Sequence, residues 1–539
     1  MQVVEINPIP SSQLMSDYLF NYSKVENYFS YNPYVRDSWQ ERMLRLSEQT
    51  HVNRDKLVEA LMAYNKRLNN YEMVADNIEK LRSSGTFVVI GGQQAGLLTG
   101  PLYVISKAIT LLKLAQEMKE ETGNEIVPVF WIASEDHDFA EVNHLFVENA
   151  AGEIKKVKLS EKGKPKASVS EISIPSTEFQ EAIRCFFEYL PDSPYQQKLK
   201  DDLLRMVEQT DKLNDLFAMI ISSLFGEHGL ILVDSADPLI REMEVPIFTQ
   251  LIKRNMESIL LSQEQKLMQD GYKPQLENLQ GNAHFFLHLD QERHLMTWQN
   301  HHLISKNGRY RFTQDELKDQ LVHNPCLFSA NVVSRPIMQE YLFPVAAFVG
   351  GPGEIAYWAE LKPVFESFGL QMPIVYPRLT FTIIDRNIAS YMDRYHLSYE
   401  EACYQWEAKR EVWLSEQGAD VIDHEFDAFK NQLTDLYQPF LESICQVEPG
   451  ARKLGEANRQ RILAHIDFLQ RKTYSALEAR HQSSLRQWSS IKQSLYPLDT
   501  PQERVYNVFG YLNKYGTCFI HDILKQTLSV TANHKLIYI

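Results

Sequence analysis

The chain has few cysteines, and they form no pattern typical of a disulfide framework or a metal site. Among its 539 residues are five, Cys185, Cys326, Cys403, Cys445 and Cys518, with no CxxC pair. They are odd in number and far apart along the chain. We therefore expect neither a disulfide framework nor a cysteine-rich zinc site.

Long apolar runs are also missing. No stretch approaches the roughly 18 consecutive apolar residues that a transmembrane helix needs. The first residues, MQVVEINPIPSSQ, lack the basic start and apolar run of a secretory signal. These absences predict a cytoplasmic protein without a membrane partner.

Positive charge is scarce, since the formal net charge is −15. This deficit argues against a nucleic-acid partner, because phosphate contacts need a surplus of Lys and Arg on some face. The one dense basic stretch, 155–166, is interrupted by Gly163 and Pro165, which indicates an exposed hairpin or loop. Hydrophobic residues make up 44% of the chain, as in a folded globular protein, and its length favours two or three structural units.

Three continuous apolar runs predict buried strands of a parallel sheet. They are Thr86–Ile90, Val127–Ala133 and Leu230–Asp234. Each ends in a polar or Gly-rich loop, and Leu102–Met118 has helical periodicity. Strand–loop–helix units of this kind predict an α/β fold with its chemistry at the carboxyl ends of the strands.

The remainder of the core region is less regular. The first 80 residues have helical spacing, whereas about 145–230 and 255–325 have mixed patterns and are interpreted as insertions into the sheet.

From about 385 the apolar spacing becomes that of a coiled coil. Steps of four and three connect Ile422, Phe426, Phe429, Leu433, Leu436, Phe440 and Ile444. Pro449 and Gly450 interrupt the pattern, and a second helical run covers Leu454–Leu495. The two runs predict an antiparallel hairpin that mediates dimerisation. The alternative is an arm that packs on the parent core.

The first candidate site is the Gly-rich loop 91–101 between the first strand and its helix. Small residues let backbone amides approach an anion, and a helix start favours negative charge. Thr99 is placed to cap the helix, and Lys107 lies two turns inside it. The candidate binding residues here are Gly92, Gln94, Thr99, Gly100, Tyr103 and Lys107. Alternatively, the glycines serve only a tight turn.

The second candidate site follows the second strand, where three acidic residues surround a histidine. The candidate catalytic residues are Glu135, Asp136, His137 and Asp138, flanked by Ser134 and Asn143 as binding residues. Such a cluster could hold an ammonium group, bind a divalent metal or supply a base. A helix from Asp138 would place Glu141 and His144 beside His137, although the lack of a cysteine weighs against zinc. A solvated acidic helix start is the alternative.

The third candidate site lies between Ser329 and Trp358. Arg335 is suited to bidentate binding of a carboxylate or phosphate. Gly351 and Gly353 could form an amide-lined concavity, followed by a helix start capped by Glu354.

Four motifs together resemble the cysteine-adding enzyme family of bacillithiol synthesis, in order, from about residue 85 to 516. They are GGQQAGLLTGPLYVISKAI, PVFWIASEDHDFAEVNH, SANVVSRP with GGPGEIAYWAELKPVF, and SLYPLDTPQERVYNVFGYLNKYG. The resemblance implies a Rossmann-like parallel-sheet core with connecting-peptide insertions over 1–384. It also implies a coiled-coil arm and homodimer interface over 385–500, and a C-terminal segment, 501–539, that returns to the core.

The resemblance also implies a reaction, in which L-cysteine is joined through an amide to the amine of glucosaminyl-malate. A carboxylate does not condense with an amine unaided in water, so ATP is expected, with ADP as another possible ligand and Mg²⁺ as a possible assistant. Glu503, Asn507 and Tyr511, with Arg504, could form part of the nucleotide pocket. Lys107 or Arg335 would support the malate carboxylates. The acidic cluster would hold the ammonium group and deprotonate the sugar amine.

The related adenylate-forming folds use an HxGH motif and a KMSKS-type loop, and this sequence departs from both. Leu98-Thr-Gly-Pro101 stands in place of the first motif. Two alternatives therefore stay open: a nucleotidylyltransferase acting on a small phosphorylated substrate, and a non-catalytic dimeric scaffold with a nucleotide-sensing domain.

Overall fold

The computed structural model of the chain describes residues 1–48, 53–69, 71–160, 167–276, 280–526 and 528–539. The first of its two units comprises Met1–Thr382 and Glu503–Ile537, and the second comprises Ile383–Gln502 with Tyr538–Ile539. No helix within the described ranges is long and apolar enough to cross a membrane.

The first unit is organised around a parallel sheet of five strands. These strands are β1 (Thr86–Gln93), β2 (Glu125–Ile132), β3 (Ile231–Asp234), β4 (Val345–Gly350) and β5 (Ile374–Pro377). Their order is β5-β4-β1-β2-β3, and every neighbouring pair is parallel. Almost all their residues are buried, because helices cover both faces of such a sheet. The predicted Rossmann-like core is confirmed.

Two glycines at the end of β1 allow its neighbours to approach closely. A Cβ atom on Gly91 would lie 2.9 Å from the carbonyl oxygen of Val349 in β4. A Cβ atom on Gly92 would lie 2.8 Å from the carbonyl oxygen of Trp131 in β2. Both residues are therefore required by strand packing, whatever else they do.

The N-terminal region is helical as predicted, apart from one strand. Its helices are Gln13–Phe20, Arg36–Glu48, Arg54–Leu68 and Glu72–Lys80. The strand Gln2–Ile6 was not predicted from its sequence. It belongs to a three-stranded sheet with His534–Tyr538 and Phe381–Ile384, so distant parts of the chain determine its conformation.

The first insertion lies between β2 and β3. It contains the helix Phe139–Val142, the antiparallel hairpin His144–Glu148 and Ile154–Lys158, and the helices Ser176–Tyr189, Gln196–Val207 and Leu213–Phe225. The hairpin contains the first part of the basic stretch, as predicted, while residues 161–166 of that stretch lie outside the described residues.

The second insertion lies between β3 and β4 and carries a second sheet. Antiparallel strands are ordered Arg311–Phe312, His302–Ser305, Glu292–Gln299, Asn282–Leu289 and Phe328–Ala330. The helices are Pro238–Lys253, Glu257–Gln269, Gln314–His323 and Ser334–Leu342.

Further helices of the first unit follow individual strands of the central sheet. Tyr103–Thr122 follows β1, and Pro352–Trp358 and Lys362–Ser367 follow β4. Near the C-terminus the helices are Val508–Tyr515 and Cys518–Lys525.

The second unit is helical, with helices Arg386–Arg394, Tyr399–Tyr404, Trp406–Glu416, Ala419–Val447, Ala451–Arg480 and Gln482–Leu495. Tyr474 contacts Asp423 and the carbonyl of Ala419, whereas Tyr437 donates to the carbonyl of Gly455. These contacts show that the two long helices are antiparallel, which confirms the coiled-coil hairpin. The helical run predicted over Leu454–Leu495 is divided into two helices, because the first ends at Arg480 and a new helix begins after His481.

Candidate functional site

A cleft of about 280 Å³ opens at the carboxyl ends of β1, β2, β4 and β5. The connections from β1 and β4 lead to opposite sides, so the cleft lies at the point where the strand order reverses. Ligands of open α/β sheets bind at this point. The predicted site residues that line the cleft are Gly92, Gln94, Tyr103, Lys107, Asp136, Arg335, Gly351, Gly353 and Glu354.

Lys107 joins the end of β1 to the helix that follows β4. Its Nζ donates to the carbonyl of Gly92 and to Oε2 of Glu354, both at 2.6 Å. The same carboxylate oxygen accepts from the backbone N–H of Gly351 at 2.8 Å, so the predicted capping by Glu354 is confirmed. Burial lowers the pKa of Lys107, and Glu354 partly opposes this change.

The acidic residues after β2 are surrounded by arginines. Glu135 is buried and paired with Arg241, and Nε of Arg335 lies 3.5 Å from its Oε1. Burial alone would raise the pKa of Glu135, but these guanidiniums and Arg293 lower it overall. Glu135 therefore stays ionised and positions Arg335, which does line the cleft.

Asp136 is the acidic residue of this loop that faces the cleft. Its carboxylate accepts from Nε2 of Gln94 at 2.8 Å and from Arg293 at 3.3 Å. Burial acts to raise its pKa, yet Arg335 and Arg293 hold it below its usual range. Asp136 is consequently a fixed negative charge in the cleft.

Four other residues of this loop region are not among those lining the cleft. His137 contacts Arg293, and Asp138 is half-exposed beside it. Ser134 donates to Asp234, and Asn143 donates to the carbonyl of Leu159.

The predicted metal-ligand spacing after β2 is wrong, because the helix covers only Phe139–Val142 and His144 begins a strand. Throughout the part of the chain that the structure describes, no group of three or more His, Cys, Asp or Glu side chains could hold a metal ion.

Arg378 follows β5 directly and lines the cleft, as Lys107 and Arg335 do. It makes a two-point ion pair with Glu503, at 2.8 and 2.7 Å, and its guanidinium lies over the ring of Tyr103. Glu503 therefore acts through Arg378 and is not among the residues lining the cleft. Its neighbour Arg504 lines the cleft, is exposed and has no ion-pair partner among the described residues.

The remaining predicted residues, Thr99, Gly100, Asn507 and Tyr511, are not among those lining the cleft, and Asn507 holds the Gly-rich loop. Nδ2 of Asn507 donates to the carbonyls of Leu98 and Gly100, at 2.6 and 2.7 Å. Thr99 and Gly100 have positive φ, at 79° and 70°. Capping by Thr99 is wrong, because the helix begins after Leu102 without a side-chain cap. Tyr511 stacks on Phe519.

Arg293 was missed by sequence reasoning and comes from the antiparallel sheet of the second insertion. It lies over the ring of Phe286, and burial lowers its pKa to about 10. It contacts both Asp136 and His137, so the second insertion supplies a positive charge to the acidic loop. No local motif marks it. Arg378, in contrast, follows a strand and could have been found from its position.

A hydrogen-bonded chain holds Arg293 in place. Its Nε donates to Oγ of Ser329 at 3.1 Å, and that oxygen lies 2.8 Å from Nε2 of His288. Nδ1 of His288 in turn lies 2.8 Å from Glu171 in the first insertion. Because arginine can only donate, the Ser329 hydrogen is available to His288. Residues of both insertions thus support Asp136.

Comparison with known proteins identifies relatives over the full length. Residues 1–379 match the family model described as "Bacillithiol biosynthesis BshC, N-terminal Rossmann-like domain", and 381–539 match its "C-terminal coiled-coil domain". A Bacillus cytotoxicus protein is 38% identical over 542 residues, and a Bacillus cereus protein is 36% identical over 545. Both alignments cover 100% of each chain, and both relatives bear the name "Putative cysteine ligase BshC".

Proposed function

Because this chain belongs to the BshC family of bacillithiol biosynthesis, we propose that it joins L-cysteine to the amine of glucosaminyl-malate, in the last step of that pathway. The family makes the chain a ligase, and the relatives' name specifies cysteine as a molecule that they join. The bond formed is an amide between the cysteine carboxyl carbon and the sugar nitrogen.

One observation carries this proposal: the cleft presents both signs of charge to a small polar ligand. Lys107, Arg335 and Arg378 each have a carboxylate partner, whereas Arg504 has none among the described residues. The malate part of the substrate carries two carboxylates, which such a cationic cleft attracts. Asp136 offers the complementary negative charge for an ammonium group.

Activation of the cysteine carboxylate is expected to use ATP. A nucleotide would supply the phosphate or adenylate that leaves when the amide forms. Arg378 and Arg504, beside Tyr103, are the residues suited to its phosphates, since they are cationic and lie at the cleft. Leu98 and Pro101 stand where related folds carry the two histidines of the HxGH motif, so this chain lacks those groups for the activation step.

Incubation of the protein with glucosaminyl-malate, L-cysteine, ATP and Mg²⁺, followed by mass spectrometry, tests the reaction. We expect bacillithiol together with AMP or ADP. Pyrophosphate release without incorporation of cysteine would indicate the nucleotidylyltransferase alternative. No product and no nucleotide turnover would contradict the proposal.

The variant Asp136→Asn tests the role of the cleft charge. Losing the carboxylate should raise the KM of the sugar amine substrate by about 10- to 100-fold, since charged hydrogen bonds contribute about 1.5–3 kcal/mol. Asp319→Asn removes an exposed carboxylate on the helix Gln314–His323 and is the matched control. Equal changes of KM in the two variants would show that Asp136 does not bind the substrate.

We further propose that the coiled-coil hairpin forms a homodimer. Large apolar side chains along it are exposed, including Phe429, Leu436, Phe440 and Val447. Exposed apolar surface of this kind marks interaction sites. Light scattering should give twice the chain mass for the wild type and the single-chain mass for Leu436→Lys. A monomeric wild type would contradict the dimer.

A further inference from the structure

Gln339 lies in the wall of the cleft and was not among the candidate site residues. It belongs to the helix Ser334–Leu342, four residues after Arg335, so the two side chains share one helix face. Both line the cleft, and Gln339 is only 3% exposed. It is therefore a nearly buried polar side chain next to a charged one.

The carboxamide of Gln339 has no hydrogen-bond partner among the described residues. This distinguishes it from the two other buried glutamines in the part of the chain that the structure describes. Gln263 donates to the carbonyl of Ala359 at 2.9 Å, and Gln502 bonds both the N–H and the carbonyl of Ile383. The other glutamines of the cleft also have partners, since Gln94 donates to Asp136 and Gln93 contacts Lys107.

The Gln339 side chain is almost wholly enclosed, but its carboxamide is not among the fully buried polar atoms without a partner and so opens to the cleft, where a ligand can pair with it. The carboxamide offers two N–H donors and one carbonyl acceptor without adding charge. Carboxylates and phosphates are better served by the nearby arginines. A hydroxyl both donates and accepts, and therefore matches a neutral amide.

From this geometry we infer that Gln339 binds a ring hydroxyl of the sugar in the amine substrate and so helps to determine specificity. The inference rests on the proposed function. Apolar surface beside it suits the carbon face of a sugar ring, because Val332, Pro336 and Phe348 line the same cleft. A substrate without that hydroxyl would leave the amide unpaired.

The test compares Gln339→Leu with Gln263→Leu, two changes of the same chemistry on buried helical positions. Gln339→Leu should raise the KM for glucosaminyl-malate by about 3- to 10-fold, the usual effect of one neutral hydrogen bond. Its KM for cysteine should be unchanged, and its melting temperature should not fall, because no internal hydrogen bond is lost. Gln263→Leu should show the reverse, with a lower melting temperature and unchanged KM values.

Steady-state kinetics and thermal unfolding of both variants distinguish the outcomes. An unchanged KM for glucosaminyl-malate in Gln339→Leu, or a raised KM for cysteine alone, overturns the inference. A melting temperature lowered as in Gln263→Leu also overturns it, since the role would then be structural.

Failure of the proposed function is recognisable separately, because the wild type would then form no product. In that case calorimetric titration of glucosaminyl-malate into the wild type and into Gln339→Leu tests whether Gln339 binds this substrate. Weaker binding to the variant supports the inference, and no binding to the wild type overturns it together with the proposed substrate.

Discussion

The central sheet and the coiled-coil hairpin have equally regular apolar patterns, but the apolar side chains are buried in the sheet and largely exposed in the hairpin. In β1 the residues from Thr86 to Gly91 are all buried. In the helices Ala419–Val447 and Ala451–Arg480, the buried residues are Ala419 and Leu441 alone. An apolar pattern thus predicts the type of element, whereas burial depends on what covers it.

Charged residues show the same contrast. Arg42 and Glu340 form an ion pair at 2.6 Å inside the first unit, with both side chains essentially inaccessible. Lys430 and Asp467 form a pair at 2.7 Å across the hairpin, where both remain partly exposed. Buried pairs become costly when one partner is removed, whereas exposed pairs contribute little.

Arg42→Met should give the largest loss of stability, about 3–5 kcal/mol, because it leaves Glu340 buried without its cation. Burial already raises the pKa of Glu340 to about 7. In the folded variant the Glu340 carboxyl would stay protonated at pH values where the unfolded chain has lost that proton. The loss of stability caused by Arg42→Met should therefore grow as the pH rises. Urea unfolding at two pH values measures both effects.

Lys430→Met is the matched change in the hairpin, and we expect no measurable loss of stability. Equal losses from the two variants would contradict the contrast between buried and exposed pairs.

Arg293→Met should have an intermediate effect, expressed in the pH dependence of the activity. Without this guanidinium the pKa of Asp136 rises, so its carboxylate accepts a proton at higher pH. The acid limb of kcat/KM should move upward by about one pH unit. A pH–rate profile measures this shift.

Arg311→Met, on the same sheet but exposed, is the control and should keep the wild-type profile. An unshifted acid limb in Arg293→Met would show that the insertion does not tune the cleft.

Three of the five core strands, β1, β2 and β3, were predicted because each is a continuous apolar run followed by polar or small residues, whereas β4 and β5 were not predicted. The sites in the loops after β1 and β2 were predictable for the same reason, since the carboxyl ends of parallel strands meet at one edge. This rule identified Lys107 and Asp136, whereas Glu354 was identified from the Gly-rich run that precedes it, and the structure brings all three to one cleft.

Contacts between distant segments were not predictable from local patterns. Arg293 reaches the acidic loop from a sheet in the second insertion, and Arg241 pairs with Glu135 from the helix after β3. Neither has a motif around it. The prediction that Thr99 caps the helix was wrong for another reason. Asn507, which is distant in sequence, holds the loop of Thr99, whose backbone is left-handed.

Leu436→Ala should have only a small effect on stability, within about 0.5 kcal/mol, because its side chain is 75% exposed. Ile90→Ala, a comparable truncation in β1, should lose about 2–5 kcal/mol, since it leaves a cavity in a buried strand. Urea unfolding at low protein concentration compares the two without the influence of dimerisation. A loss from Leu436→Ala that appears only at high concentration would show that the apolar surface is covered by a second chain. A large loss at every concentration would mean that this residue is buried within its own chain, and the contrast between sheet and hairpin would fail.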